Sequence, residues 1–122
     1  MMIEVPFFNW GDKPSKRGRD AERRAAARLN ATTIPGSGSV PGLKGDLKFR
    51  DFLIESKSTT KASMQLKRGW LEKIAVEARD VNHYPALMVQ FTDLRGEAIK
   101  NGSWVMMPEH VFRSFVKQRR PK

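Results

Sequence analysis

The sequence predicts an α/β domain, a sandwich with a mixed central sheet and helices outside, in the order α-β-β-α-β-β-α. Three observations carry this. Residues 45–57 alternate apolar and polar side chains about an Arg50-Asp51 turn, the two-residue period of a hairpin. Residues 64–81 repeat apolar side chains at helical spacing through Leu66, Trp70, Ile74, Ala78 and Val81. Residues 86–91 form a continuous apolar run behind Pro85, as a strand covered on both faces does.

The elements follow in order. Residues 1–18 read as a basic N-terminal arm, with Val5, Phe7, Phe8 and Trp10 as packing groups and a flexible stretch after them. Residues 20–29, rich in Ala, Arg and Glu, predict a first helix with Asp20 as its N-cap. Glu22, Ala25, Ala26 and Leu29 recur on one face of that helix, so Glu22 projects from the apolar side toward the body. The plainer reading of Glu22 is a favourable contact with the helix N-terminal dipole.

Residues 31–45 hold Pro35, Gly36, Gly38, Pro41, Gly42 and Gly45 and form a loop, long enough in a compact domain to mark it as functional. The hairpin comes next, then a polar stretch and the second helix over 64–81, weakened locally by Gly69. After the buried strand, residues 93–102 read as a polar turn region and 104–107 as a short strand, with Trp104, Met106 and Met107 in the core. Pro108 opens a last helix through Val111, Phe112 and Phe115. The folded domain spans 19–117, and 118–122 is a basic tail.

At 122 residues the chain makes one domain, and 39% hydrophobic with 30% charged residues suits a soluble globular one. No apolar run approaches the ~20 residues of a membrane span. The first ten residues carry an acid and no basic segment, unlike a signal peptide. The absence of cysteine excludes disulfides, thiolate zinc sites and a cysteine nucleophile, and suits the cytoplasm. The net charge of +10 is clustered in residues 13–28, 57–68 and 117–122. Such an excess attracts polyanions, so nucleic acid is the expected partner.

The hairpin also places chemistry. With the turn at Arg50-Asp51, Asp46 lies opposite Glu55, and alternation puts Asp46, Glu55 and Lys57 on one face. Leu47, Phe49, Phe52 and Ile54 take the other. Opposed residues have Cβ atoms about 4.5–5.5 Å apart. Two carboxylates that close repel unless a cation sits between them. A lone Glu-x-Lys is usually a solvated strand face. The register of Asp46, the uniformly apolar opposite face and the preceding glycine-rich loop weigh against that here. His83 and His110 flank no acid pair and read as structural or surface residues, and Gln65 as a surface polar one. Residues 36–45 are not a P-loop, since no Gly-Lys-Ser/Thr follows.

Glu22 on a first helix, a Gly/Ser/Pro loop, Asp46 and then Glu55-Ser56-Lys57 resemble the PD-(D/E)xK nuclease superfamily. The layout is most similar to the Holliday-junction resolvases of archaea and phages. The likeness runs from Glu22 to Trp70 and more loosely to residue 116, with Gly45 where many members have proline. It implies a restriction-endonuclease-like fold and a Mg²⁺-dependent phosphodiester hydrolase, with Mn²⁺ able to substitute. Asp46, Glu55 and the Ser56 backbone carbonyl would bind one ion, and Glu22, the helix-one acid, a second. Lys57 would be the catalytic lysine, in an electrostatic role. Lys13, Lys16, Arg17, Arg19, Lys61, Lys67 and Arg68 would bind phosphates, with Ser37 or Ser39 contributing from the loop.

The expected partner is branched double-stranded DNA and the expected assembly a homodimer, with no membrane and no small-molecule cofactor. An intracellular, phage or mobile-element origin fits. Two alternatives stand beside this: a nuclease of the same fold acting on linear, flapped or nicked DNA, and a non-catalytic basic DNA-binding protein.

Overall fold

The computed structural model describes residues 16–34 and 46–118, Asp46 by its backbone alone. The expectations for Lys13, Ser37, Ser39, the apolar N-terminal arm, the glycine-rich loop and residues 119–122 lie outside the described residues.

Within these, the chain runs α1 (Lys16–Leu29), β1 (Thr32–Thr33), β2 (Asp46–Phe49), β3 (Phe52–Thr59), α2 (Arg68–Asp80), β4 (Tyr84–Thr92), β5 (Ala98–Met106) and α3 (Glu109–Gln118). The strands form one sheet in the order β1-β2-β3-β4-β5. β3 and β4 run parallel, and every other pair is antiparallel. The α2 crossover is what a parallel pair requires. The protein is thus α/β with a mixed sheet and three helices, as its periodicities predict, with the two-residue β1 as an addition.

The hairpin has the register read from the sequence: Asp46 pairs with Glu55, Leu47 with Ile54 and Phe49 with Phe52. Arg50 turns the chain at a φ of 53°. Alternation then sends β3 side chains to two different helices. Leu47, Ile54, Ala86 and Met88 pack with Ala25 and Ala26 of α1. Leu53 packs with Ile74 and Ala78 of α2. The two helices therefore cover opposite faces, and the face that carries Glu55 lies under α2 instead of in solvent.

α1 is pinned by polar contacts. Gln90 is fully buried, and its amide donates to the Ala21 carbonyl (3.2 Å) and the Ser56 hydroxyl (3.3 Å). Its Oε1 accepts from Arg28 Nη2 at 2.9 Å. Gly96, in the β4–β5 turn at φ +88°, lies so close to α1 that a Cβ there would meet the Arg17 carbonyl oxygen at 2.9 Å and Asp20 Cβ at 3.0 Å. Only glycine satisfies both the dihedral and the approach.

Several sequence expectations need correction. α1 begins at Lys16, so residues 16–18 belong to the helix and not to the arm, and Asp20 is no N-cap. Asp20 sits inside α1, paired with Lys16 at 3.3 Å and with Arg23, pairs at i, i±3 and i±4 that extend the helix. α2 starts at Arg68, not 64, with Lys67 extended and no side-chain cap. Lys67 and Arg68 sit badly at the positive end of a helix dipole, and no acid in the first turn offsets them. Leu66 and Val81 accordingly fall outside the buried stripe, 49% and 52% exposed.

β5 starts at Ala98, so the turn region is shorter than residues 93–102. Asn101 and Gly102, which look like a turn, are an irregularity within the strand, where a Cβ on Gly102 would lie 2.7 Å from the Phe91 carbonyl oxygen. Trp104 and Met106 are not core: β5 ends the sheet, α2 lies over β3 and β4, and Trp104 is 63% exposed. No helix among the described residues is long and apolar enough to cross a membrane.

Candidate functional site

The centre of the site is Glu55. Its strand position pairs it with Asp46 on one side and Leu87 on the other. Its residue exposure is 1%, a rare place for a carboxylate. Lys57 Nζ lies 3.3 Å from Glu55 Oε2. Lys73 Nζ, from α2, lies 3.7 Å from Oε1. Neither oxygen accepts a hydrogen bond among the described residues. A buried carboxylate that is paired by charge but not bonded is costly to keep ionised.

Lys57 is fixed from its other side. It shares the α2 face with Leu53 and Glu55 by alternation, and its ammonium lies 4.6 Å from the centroid of the Trp70 ring. Trp70 is the first aromatic of α2, placed there by the late helix start. The ring holds the ammonium without neutralising it. Lys67 approaches the same ring at 5.9 Å.

Glu22 comes from α1. It is half-buried, and its Oε2 is shielded with no hydrogen-bond partner among the described residues. Burial, and next the negative charge of Glu55, push its carboxyl up to about 7. The charge of Glu55 thus reaches Glu22, and the helical-face reading of Glu22 agrees with its half-buried position.

The remaining predicted residues divide. Ser56 donates no metal geometry of its own here, but its hydroxyl receives the Gln90 amide at 3.3 Å, which ties the strand to α1. Lys61, Lys67 and Arg68 are exposed between β3 and the start of α2, with Arg68 paired to Glu72 at 3.0 Å. Lys16 and Arg19 are exposed on α1. Arg17 departs from the expectation of a phosphate ligand. Its guanidinium donates to Ser58 Oγ (2.9 Å), Thr92 Oγ1 (3.1 Å) and the Ser58 carbonyl (3.3 Å), so it clamps α1 to the ends of β3 and β4. His83 and His110 stay away from the site; His83 Nδ1 lies 2.7 Å from the Val81 carbonyl oxygen.

The sequence reading missed Lys73, Glu77 and Gln90. Trp70, Lys73 and Glu77 share one helical face by their i, i+3, i+7 spacing, a signal present in the sequence once Trp70 is known to meet Lys57. Gln90 sits inside an apolar run, where a lone amide is the signal of a buried polar hub.

Among the described side chains no three His, Cys, Asp or Glu converge as a ready metal cage. The donor chemistry nevertheless fits a hard divalent cation: the Glu55 oxygens and Glu22 Oε2 are buried, have no hydrogen-bond partner among the described residues and lie close enough for Glu55 to raise Glu22. A separate apolar cleft of ≈ 270 Å³ opens on the other flank of α2, lined by Leu71, Ala75, Leu87, Met106 and Pro108, and carries no such groups. No protein-family model, curated protein or solved structure matches the chain.

Proposed function

We propose that this protein is a divalent-cation-dependent DNA endonuclease of the PD-(D/E)xK type, with a restriction-endonuclease-like sandwich, that resolves four-way junctions. The observation that carries the reading is the Glu55 carboxylate, buried, without a hydrogen-bond partner among the described residues and 3.3 Å from the Lys57 ammonium two residues along the same strand. Asp46 is paired with Glu55 by register, and Glu22 senses Glu55 from α1.

In this reading Asp46, Glu55 and the Ser56 carbonyl hold one Mg²⁺, or Mn²⁺, and Glu22 contributes to a second. The bound ion supplies Lewis-acid stabilisation of charge on the phosphoryl oxygens and an acidified water. Lys57, steadied by Trp70, places a fixed positive charge where negative charge grows. Lys61, Lys67 and Arg68, with Lys16 and Arg19, attract the phosphate backbone. A two-fold dimer would present two equivalent sites to a two-fold junction.

The test is a labelled four-way junction beside plain, flapped and nicked duplexes, each with Mg²⁺, Ca²⁺ or EDTA. Paired cuts in the junction with Mg²⁺ alone support the proposal. Equal cutting of plain duplex rules against junction selectivity and favours another nuclease of this fold. Binding without cutting of any substrate favours the non-catalytic reading.

A further inference from the structure

α2 brings a second ammonium to Glu55, and its own helix gives a reason for that placement. Lys73 Nζ is 2.8 Å from Glu77 Oε2 and 3.7 Å from Glu55 Oε1, between two acids at unequal distances. Glu77 stands in the last turn of a helix that ends at Asp80, the dipole's negative end, where a carboxylate is disfavoured. The pair also runs Lys before Glu, the poorer order for an i, i+4 contact. Glu77 Oε1 is buried with no hydrogen-bond partner among the described residues. Neither helix stability nor hydrogen bonding accounts for Glu77 at this position. Its contact with Lys73 does.

We infer that Lys73 is a positioning residue: its ammonium stands in for a cation at Glu55 in the metal-free protein, and Glu77 draws it aside when a divalent ion takes Glu55. This rests on the metal-site reading above. Glu55 is flanked by Lys57 at 3.3 Å and Lys73 at 3.7 Å, so two ammonium groups already stand where positive charge is wanted. An ion bound by Glu55 repels an ammonium that close. Glu77, already the nearer partner, receives it without a change of helix position. The two residues therefore act on metal affinity in opposite directions: Lys73 competes with the ion, and Glu77 weakens that competition.

The experiment is calorimetric titration of the full chain with Ca²⁺, in the absence of DNA, for the wild type, Lys73→Met, Glu77→Gln and the double variant, with a thermal melt of each in EDTA to establish folding. Lys73→Met keeps length and removes charge, and should tighten Ca²⁺ binding about three- to tenfold. Glu77→Gln should weaken it, because Lys73 then settles on Glu55. The double variant should follow Lys73→Met, since Glu77 acts only through Lys73. A merely structural pair would move melting temperature and leave affinity alone, or shift both variants the same way, and either result overturns the inference. Ca²⁺ binding that Glu55→Gln abolishes but Lys73→Met leaves unchanged overturns it while the metal site stands. No Ca²⁺ binding by the wild type removes the metal site and this inference together.

Discussion

The carboxyl of Glu22 is raised to about 7 by its burial and by the negative charge of Glu55. Two acids brought from different elements to one partly enclosed place is an arrangement that folding alone does not favour.

This relationship sets a pH dependence. The folded-state value of Glu22 lies above its ordinary 4.5, so the native protein binds the proton more tightly than the unfolded chain. The contribution of Glu22 to stability in EDTA is therefore fully present below about 4.5 and is lost as pH rises through about 7. Glu22→Gln should flatten that part of the profile and be the more stable form at pH 8, by on the order of 1 kcal/mol once solvent screening of a half-exposed group is allowed for. Urea unfolding across pH reads this directly. Parallel profiles for the two proteins would show that the Glu22 carboxyl is not raised in the folded protein.

Gln90 ties α1 to β3 and thereby sets where Glu22 stands. Gln90→Met removes its bonds to Ala21, Ser56 and Arg28 while keeping the bulk. The expected loss is about 1–3 kcal/mol in urea unfolding. An unchanged midpoint would mean that the amide is not the link between helix and sheet.

Gly96→Ala should cost about 2 kcal/mol or more, since both the left-handed φ and the contact with the α1 backbone are violated. Amide exchange in α1 should rise more than in α2. Uniform exchange across both helices would argue against a local role for this turn.

Lys61, Lys67 and Arg68 are exposed and lie in the chain between the end of β3 and the first residue of α2. Replacing all three with alanine should reduce the slope of log affinity against log salt by about 2–3 in junction binding, because each phosphate contact contributes about 0.9. Arg17→Ala should instead lower stability through Ser58 and Thr92, with a smaller change in that slope. The reverse pattern would place the DNA on the Arg17 side.

Much of this fold was legible because local rules and tertiary structure agree. The alternation of Leu47, Phe49, Phe52 and Ile54 and the Arg50-Asp51 turn define the register that the hairpin adopts. The helical repeat of Trp70, Ile74 and Ala78 defines the α2 face that meets the sheet. The failures have common causes. Hydrophobicity does not say which strand ends a sheet, so Trp104 read as core. A propensity window does not register two cations at a helix start, so α2 read as starting four residues too early. The Asn101-Gly102 pair signals a turn and an in-strand irregularity equally well. For the candidate site, the shared face of Glu55 and Lys57 and the inward side of Glu22 were legible from spacing, whereas their roles came from the resemblance. Lys73 and Glu77 were not, because their role depends on which flank of α2 lies over Glu55, a fact of packing.

The most direct measurement is cleavage of a four-way junction in Mg²⁺ by Glu55→Gln beside the wild type, with junction binding in Ca²⁺ measured on both. Glu55 is buried at the centre of the site and its substitution keeps the side chain's size. The account predicts that Glu55→Gln binds the junction as the wild type does and makes no cut. Undiminished cleavage by the variant would contradict it.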